Sequence, residues 1–374
     1  MTESTNTPLR VLISGGGTGG HIFPALSIAD AIRRRDPRAE ILFVGAEGRM
    51  EMERVPAAGY EIIGLPVAGF DRRHLWRNIG VLFKLFRSMR KARRIVADFS
   101  PDVAVGVGGY ASGPVLKAAQ HAGVPTVLQE QNSYPGVTNK ILAKNAAAVC
   151  VAYPDLERFF PADKIVMTGN PVRRSLLECD LSPDAAKEAL SFKTDLPLVL
   201  FVGGSLGAGT LNATVIAALQ SGRAQRSPFN VLWQTGRSHY ADCAEALASH
   251  PADNVRCTEF ISDMALTYRA ADLVVARAGA GTISELELLG KPAILVPSPN
   301  VAEDHQRHNA EALASRGAAG MVLDADAPEK LWVEAATVVE NPDTLAILSR
   351  NIAEMALPDS DDAIARIVME AARR

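Results

Sequence analysis

The stretch GGGTGGH at residues 15–21 lies between an apolar run at residues 9–13 and a helical apolar pattern at residues 22–33. Glycines let the backbone turn tightly and approach an anion, and the following helix presents unpaired N–H groups and the positive end of its dipole. The spacing matches neither the dinucleotide fingerprint G-x-G-x-x-G nor a Walker loop, which requires Lys-Ser/Thr. The stretch therefore predicts a strand–turn–helix unit that binds an anion, and it does not identify that anion.

A second stretch has the same design. GGSLGA at residues 203–208 follows the apolar run LVLFV at residues 198–202 and precedes another helical pattern. A chain of 374 residues suits two cores, and short apolar strands alternate with helical patterns throughout, so the sequence predicts an α/β fold of two Rossmann-like domains facing across a cleft. We place the domains at residues 8–172 and 173–355, and we expect a C-terminal helix at residues 360–374 to pack back on the first domain.

The composition is that of a globular protein. Hydrophobic residues make up 48% of the chain and charged residues 22%, which excludes an intrinsically disordered protein. No apolar run reaches the length of a membrane span and residues 1–8 lack the apolar region of a secretory signal, so we expect a cytoplasmic location. The cysteines show no metal-binding spacing, and we expect reduced thiols at Cys150, Cys179, Cys243 and Cys257.

Residues 71–94 depart from the net charge of −3, because nine basic residues and one acidic residue give them a local charge of +8 and leave −11 for the rest. Apolar and basic side chains recur there at helical spacing, which predicts an amphipathic helix. The helix either packs its apolar side on a sheet, with solvated arginines, or docks on anionic lipid head groups. No RNA-binding motif accompanies the charge, so no nucleic-acid partner is predicted. The residues expected at the membrane are Trp76, Ile79, Phe83, Phe86, Arg77, Lys84 and Arg87.

Other polar clusters follow predicted strands, at the edge of the sheet where ligands bind in this architecture. GGYASGP at residues 108–114 suits a phosphate or a sugar, or is only a tight connection. QEQN at residues 129–132 offers four polar side chains after a buried strand. Residues 277–285 open a helix whose amides suit a diphosphate and whose Glu285 suits ribose hydroxyls, and a capping box with Thr282 as N-cap is the alternative.

The sequence predicts no metal site. EDHQRHN at residues 303–309 suits sugar hydroxyls through paired donors and acceptors, but its histidines lack a partner motif for a metal. Two Asp-x-Asp strings, at residues 324–326 and 359–361, precede helical patterns and are interpreted as helix caps. The motifs therefore require no cofactor and leave assistance by a divalent cation open. Helix amides and Arg173 would then stabilise a leaving diphosphate.

Seven motifs in this order resemble the MurG family, N-acetylglucosaminyltransferases with the two-domain GT-B fold. They are GGGTGGH, GGYASGP, QEQN, GNPVR, GGSLGA, the 277–285 loop and EDHQRHNA, and they extend over nearly the whole chain. The resemblance implies inverting transfer of N-acetylglucosamine (GlcNAc) from UDP-GlcNAc to the 4-hydroxyl of the muramyl residue of undecaprenyl-diphosphate-MurNAc-pentapeptide (lipid I), giving lipid II for peptidoglycan synthesis. It also implies a peripheral protein on the cytoplasmic face of the bacterial inner membrane, with anionic lipid and other cell-wall synthesis or division proteins as partners.

The resemblance also implies roles for individual residues, with UDP-GlcNAc mainly on the second domain and lipid I on the first. Leu206 departs from the family's common Gln, and only backbone roles carry over at Ala278 and Gly281, where the family often has Ser and a bulkier residue. The expected donor-binding residues are Thr18, Gly19, Gly20, Asn132, Arg173, Ser205, Ile261, Ala280, Gly281, Thr282, Glu285, Gln306 and Asn309. The expected acceptor-binding residues are Gly16, Gly17, Gly109 and Tyr110.

Such a reaction needs a base for the acceptor hydroxyl. His21 is the first candidate, because a helix N-terminus lowers the pKa of an imidazole and keeps it able to accept a proton. A loop-fixing hydrogen bond or a contact with the acceptor phosphate is the alternative role for His21, and Glu130 is the second candidate base. Two other functions compete: a hydrolysing UDP-GlcNAc 2-epimerase, which needs no basic apolar helix, and a membrane-docking scaffold or sugar-nucleotide sensor, which needs neither QEQN nor His21.

Overall fold

The computed structural model describes residues 7–17, 19–67, 79–204 and 206–373. The chain divides into two units, of which unit 1 comprises Met1–Arg173 with Leu357–Arg374 and unit 2 comprises Arg174–Ala356. Each unit is built on a sheet of parallel strands, and its apolar runs are buried because helices cover both faces of such a sheet.

Seven strands of unit 1 form a sheet in the order β3-β2-β1-β4-β5-β6-β7, and every pair in it is parallel. The strands are β1 (Arg10–Ser14), β2 (Glu40–Ala46), β3 (Glu61–Leu65), β4 (Val103–Gly106), β5 (Thr126–Glu130), β6 (Ala148–Val151) and β7 (Ile165–Met167). The helices between them are α1 (Gly19–Arg35), α2 (Glu51–Ala57), α3 (Ile79–Phe99), α4 (Ser112–His121) and α5 (Val137–Leu142).

The sheet of unit 2 contains six strands in the order β10-β9-β8-β11-β12-β13, again all parallel. Its strands are β8 (Leu198–Val202), β9 (Asn230–Gln234), β10 (Val255–Thr258), β11 (Leu273–Ala276), β12 (Ala293–Leu295) and β13 (Gly320–Met321). Its helices are α6 (Pro183–Ala189), α7 (Gly209–Gln220), α8 (Tyr240–Ser249), α9 (Met264–Ala270), α10 (Ala280–Leu289), α11 (His305–Ala314), α12 (Ala327–Val339) and α13 (Pro342–Ala353).

The last helix, α14 (Ser360–Ala371), belongs to unit 1 and packs against α1. Ile364, Ala365 and Val368 are completely buried in the same core cluster as Val11 and Ile28. Two ion pairs flank this contact, Arg34 with Asp361 at 2.5 Å and Arg35 with Asp362 at 2.5 Å. The chain therefore completes the core of unit 1 only after it has passed through unit 2.

The order of strands places the glycine loops. In both sheets the first strand lies beside the fourth. The first three strands are added toward one edge of the sheet and the later strands toward the opposite edge, so the strand order switches between β1 and β4 and between β8 and β11. In open α/β sheets a ligand site lies at this switch point, outside the carboxyl ends of the strands. The predicted α/β class with two Rossmann-like sheets is confirmed.

Candidate active site

The first glycine loop, residues 15–21, meets the glycine turn that follows β4. A Cβ on Gly109 would lie 2.2 Å from the carbonyl oxygen of Gly16, and a Cβ on Gly15 would lie 2.0 Å from Cγ2 of Val107. Only glycine permits such an approach, and Gly109 has a φ of +84° that also favours glycine. The two turns expected to hold the acceptor are thus packed backbone to backbone at the switch point of unit 1.

His21 lies at the same place. Its half-buried imidazole packs on Gly108, where a Cβ would come within 2.9 Å of Nε2. Tyr110 is 58% exposed beside this contact, so its ring is accessible to a ligand. The structure thus brings the candidate base and the predicted acceptor residues Gly16, Gly109 and Tyr110 into one cluster.

Glu51 accepts hydrogen bonds from the first glycine loop. The carboxylate is completely buried, and it accepts hydrogen bonds from the Gly17 N–H at 3.0 and 3.1 Å and from the Ala46 N–H at 2.9 Å. The N–H of Gly17, an expected acceptor-binding residue, is therefore directed into the protein. Nothing in the spacing of the sequence singled out Glu51.

Glu130, the second candidate base, occupies a structural position. It is 2% exposed, and its oxygens accept hydrogen bonds from the backbone N–H groups of Asn132 at 3.1 Å and Gly136 at 3.2 Å. The side-chain amides of Asn132 and Asn139 also donate to it, at 3.2 and 2.9 Å. Burial raises the pKa of this carboxyl, while the four donors oppose the rise. All the described donors to the Glu130 carboxylate are therefore groups of unit 1 itself.

The neighbouring glutamines form a buried network with the loop after β7. The Nε2 of Gln129 donates to Oδ1 of Asn170 at 2.8 Å, and the Nδ2 of Asn170 donates to the carbonyl of Gln131 at 3.1 Å. The side chain of Gln131 donates to the Val107 carbonyl at 2.8 Å. The two glutamines of the QEQN cluster therefore stabilise the strand ends of unit 1.

Several expected donor residues belong to unit 1. Gly19 and Gly20 begin α1, and Arg173 is the last residue of the first segment of unit 1, with its guanidinium carbon 5.1 Å from the ring centroid of Phe23. Thr18 and Ser205 lie outside the described residues. The remaining expected donor residues, apart from Asn132, lie in unit 2.

The second glycine loop, residues 203–208, is closed by backbone packing. A Cβ on Gly207 would lie 1.9 Å from the carbonyl oxygen of Thr235, and a Cβ on Gly236 would lie 2.3 Å from that of Leu206. Leu206 itself is 80% exposed at the tip of the loop. The loop therefore presents an apolar side chain to solvent and fixes its backbone against the end of β9.

Gln234 connects this loop to Ile261. Its buried side chain donates from Nε2 to the Gly204 carbonyl at 2.9 Å, and its Oε1 accepts from the Ile261 N–H at 2.9 Å. The side-chain amide of Gln234 thus bonds two backbone segments, both of which are expected to contact UDP-GlcNAc. Gln234 is the last residue of β9, a polar residue at a strand end as in the QEQN cluster, and the same signal would have identified it.

The loop after β11 differs from the proposed capping box. The helix α10 begins at Ala280, so Gly279 is the N-cap and Thr282 lies inside the helix. A Cβ on Gly279 or Gly281 would meet no protein atom within 4 Å, which leaves the space beside this helix start open. Glu285, predicted for the ribose, accepts a hydrogen bond from the hydroxyl of Tyr268 at 2.9 Å. Tyr268 is another supporting residue that the sequence did not reveal.

The predicted sugar-binding residues Gln306 and Asn309 lie on α11. The Oε1 of Gln306 accepts from the Ser298 N–H at 2.9 Å, and the Nδ2 of the completely buried Asn309 donates to the Ala278 carbonyl at 3.3 Å. Both side chains thereby join α11 to loops at the ends of β11 and β12. Asn309 supports the loop that opens α10, and the half-buried Gln306 lies nearer to solvent.

The Asp-x-Asp strings do not cap helices through their side chains. Asp326 and Asp359 occupy N-cap positions without a side-chain capping bond. Asp324 pairs with Arg277 at 2.5 Å, and Asp361 pairs with Arg34. Ion pairs with guanidinium groups therefore account for Asp324 and Asp361 better than capping does. Within the described ranges, no three His, Cys, Asp or Glu side chains are grouped so that they would hold a metal ion.

Models of one protein family match both units of the chain. The model of the glycosyltransferase family 28 N-terminal domain matches residues 11–151, and the model of its C-terminal domain matches residues 198–364. The chain belongs to glycosyltransferase family 28. The two matched domains correspond to the two sheets, with the glycine loops following the first strand of each.

Relatives within family 28 are similar along their full length. The chain is 57% identical over 373 residues, 100% of this chain and 98% of the relative, to a Bacteroides fragilis protein named UDP-N-acetylglucosamine--N-acetylmuramyl-(pentapeptide) pyrophosphoryl-undecaprenol N-acetylglucosamine transferase. A Porphyromonas gingivalis protein of the same name is 52% identical over 375 residues, 99% of this chain and 97% of the relative. These relatives confirm the resemblance to the MurG family.

Solved structures extend the family 28 comparison. The crystal structure of Acinetobacter baumannii MurG superposes with a TM-score of 0.77 at 28% identity, covering 97% of this chain and 100% of that chain. The UDP-GlcNAc 2-epimerase of Neisseria meningitidis has a TM-score of 0.67 at 13% identity, covering 97% of this chain and 100% of that chain, which shows a shared fold alone. The competing epimerase function gains no support beyond architecture.

Exposed apolar and basic side chains occur at the start of α3. We call Phe83, Lys84, Leu85, Phe86 and Arg87 the α3 surface. All five side chains are exposed, and those of Phe83 and Phe86 are 66% and 69% exposed. Farther along α3, Ala92, Ile95 and Val96 are buried against the sheet. Packing on the sheet, the alternative interpretation, therefore describes Ala92, Ile95 and Val96 and not the α3 surface.

Of the other residues expected at the membrane, Ile79 is the first residue of α3, and Trp76 and Arg77 lie outside the described residues. None of the described helices is both long and apolar enough to cross a membrane. All four cysteines are free, and burial raises the pKa of the Cys150 thiol to about 12.

Proposed function

We propose that this family 28 chain transfers GlcNAc from UDP-GlcNAc to the 4-hydroxyl of the muramyl residue of lipid I, with inversion at the anomeric carbon, to form lipid II. The observation that carries the proposal is the 52–57% identity, over nearly the whole chain, to relatives named for this transfer. The geometry of both glycine loops is consistent with it.

The acceptor is assigned to unit 1. The first glycine loop, the Gly109 turn and the exposed Tyr110 lie together at the switch point, where the first turn of α1 presents N–H groups that lack intrahelical acceptors. Such a helix start attracts a diphosphate. His21, against Gly108, is then placed beside the bound diphosphate, within the unit that also holds the sugar to be modified.

The donor is assigned mainly to unit 2. The open space beside Gly279 and Gly281 lets a diphosphate approach the first amides of α10, whose dipole stabilises the negative charge of the leaving UDP. Glu285, held by Tyr268, is placed one turn into the same helix to accept ribose hydroxyls. Gln234 fixes the second glycine loop and Ile261, and Ile261 is assigned to the uracil.

The transfer is a single displacement. The acceptor oxygen forms a bond to the anomeric carbon while the bond from that carbon to the donor phosphate breaks, and the hydroxyl proton passes to Nε2 or Nδ1 of His21. A positioned general base contributes roughly 10²–10⁴-fold to such a step. The Glu130 carboxylate is less suited, because all its described hydrogen bonds are internal.

Purified protein incubated with radiolabelled UDP-GlcNAc and a lipid I analogue tests the function. We expect a labelled disaccharide lipid that forms only when both substrates are present. Release of UDP without the acceptor would instead indicate the hydrolysing epimerase, and binding of the nucleotide without either product would indicate a sensor. Either result contradicts the proposal.

We also propose that the α3 surface docks the protein on anionic lipid. Each basic residue near such a surface contributes about 1 kcal/mol, and aromatic side chains enter the interface. In co-sedimentation with vesicles that contain the anionic lipid phosphatidylglycerol, the double variant Lys84→Glu/Arg87→Glu is expected to lose most binding. The matched control Lys193→Glu reverses an exposed lysine of unit 2 and is expected to bind normally.

High salt is expected to weaken the binding of the wild-type protein to the vesicles, because it screens exposed charges. Equal binding of the double variant and the control, or equal binding to vesicles of neutral lipid, would contradict docking through the α3 surface.

A further inference from the structure

The Glu51 carboxylate is in direct contact with the first glycine loop. It is completely buried, and its hydrogen-bond donors are the backbone N–H groups of Gly17 and Ala46. A buried carboxylate is costly unless hydrogen bonds satisfy it. The positions of these two N–H groups are therefore tied to that of the carboxylate.

The backbone around Glu51 is shaped to admit it. A Cβ on Gly16 would lie 2.1 Å from its Oε1, and a Cβ on Gly45 would lie 2.6 Å from its Cγ. Gly17 has a φ of +92°, a conformation that favours glycine. Both the loop and the end of β2 thus close on this side chain at positions where a larger residue would collide with it.

This contact changes which amides the loop offers. The Gly17 N–H donates to Glu51, so it is directed away from any ligand, whereas the helix that starts at Gly19 has first-turn N–H groups without intrahelical acceptors. Gly20 is exposed at this helix start. A ligand phosphate is therefore met by the first turn of α1 and not by Gly17.

We propose that Glu51 is a positioning residue for the acceptor diphosphate, which holds the first glycine loop so that the first turn of α1 receives the phosphate. The inference rests on the proposed function. In this inference the Gly17 amide does not bind the diphosphate; it anchors the loop to Glu51.

The test compares Glu51→Gln with the matched control Glu53→Gln, which alters an exposed carboxylate two residues farther along α2. A glutamine keeps one acceptor oxygen but replaces the other oxygen that the Gly17 N–H contacts with an N–H₂ group, and two donors cannot bond each other. We expect KM for the lipid I analogue to rise about tenfold, KM for UDP-GlcNAc to stay within about twofold, and the control to match the wild type.

Amide hydrogen exchange of the wild-type protein gives a second measurement, which decides the matter if Glu51→Gln does not fold. We expect the Gly17 amide to be protected without ligand and to gain no protection from the lipid I analogue, while the Gly19 or Gly20 amide does gain it. Additional protection at Gly17 on binding would overturn the inference.

An unchanged acceptor KM in Glu51→Gln, or an equal rise in both KM values, would also overturn it, even if the melting temperature falls. Failure of the proposed function is distinguishable, because the wild-type protein would then form no disaccharide lipid.

Discussion

The two glycine loops have the same local design and different supports. Each follows the first strand of its sheet and precedes a helix, and each contains glycines with positive φ, such as Gly17 at +92° and Gly207 at +78°. The first loop closes on the buried carboxylate of Glu51, whereas the second closes on the Thr235 carbonyl and the neutral amide of Gln234. A glycine motif therefore specifies the turn, and the residues behind it decide which groups a ligand meets.

The largest expected effect is a loss of catalytic rate when the first glycine loop is altered. His21→Ala removes the proposed base from the first loop, and we expect kcat to fall about 10²–10³-fold with little change in KM for UDP-GlcNAc. Steady-state kinetics with both substrates varied measures it.

The control for this variant is His121→Ala, an exposed histidine at the end of α4, which is expected to keep the wild-type kcat. An unchanged kcat in His21→Ala, together with a large loss in Glu130→Gln, would transfer the role of the base to Glu130.

The next effect concerns stability in the second loop. Gly207→Ala would place a Cβ 1.9 Å from a backbone oxygen that cannot move aside, and its φ is also strained, so we expect a loss of about 2 kcal/mol or more in the free energy of unfolding. Urea unfolding followed by tryptophan fluorescence measures it, since Trp233 and Trp332 are buried in unit 2.

Gly204→Ala is the matched variant, because Gly204 has a φ of +80° and open space for a Cβ. This variant introduces backbone strain without a steric collision, so its loss in the free energy of unfolding is expected to be smaller than that of Gly207→Ala. Gly16→Ala meets a side chain rather than backbone, so the first loop is expected to tolerate it better than the second tolerates Gly207→Ala. Equal losses in the free energy of unfolding for all three variants would show that the backbone contact of the second loop and the side-chain contact of the first do not differ in their effect on stability.

The smallest expected effect is on donor binding. Gln234→Met keeps the length of the side chain and removes both hydrogen bonds, and we expect KM for UDP-GlcNAc to rise about fivefold to tenfold with kcat nearly unchanged. Gln220→Met, at an exposed position in α7, serves as the control. A rise in the acceptor KM instead would show that Gln234 does not act on the second loop alone.

The sequence predicts the strands that carry the site, because continuous apolar runs such as β8 are buried on both faces of a parallel sheet. It misses β3, which carries Glu61 and Gly64, and β13, which has two residues. Neither is a continuous apolar run of ordinary strand length. Pairing with β2 and β12 defines them, and such pairing is not local information.

The site is predicted less completely than the fold. A polar residue at the end of a buried strand, such as Gln234 at the end of β9, lies at a position that the sequence can indicate. Glu51 lies near the start of a short helix in a charged stretch, where its neighbour Glu53 has the same local pattern and is exposed. Only the tertiary structure distinguishes the two. The alternative capping box at the start of α10 is wrong, because Thr282 and Glu285 have capping-box spacing but lie inside the helix.

The place of α14 in unit 1 has a consequence for synthesis on the ribosome. Residues 174–356 emerge as one continuous segment and can form their core while translation proceeds. Residues 1–173 emerge earlier but must wait for Ile364, Ala365 and Val368 before their core is complete. The unit whose first segment is synthesised first is therefore the last to complete its core.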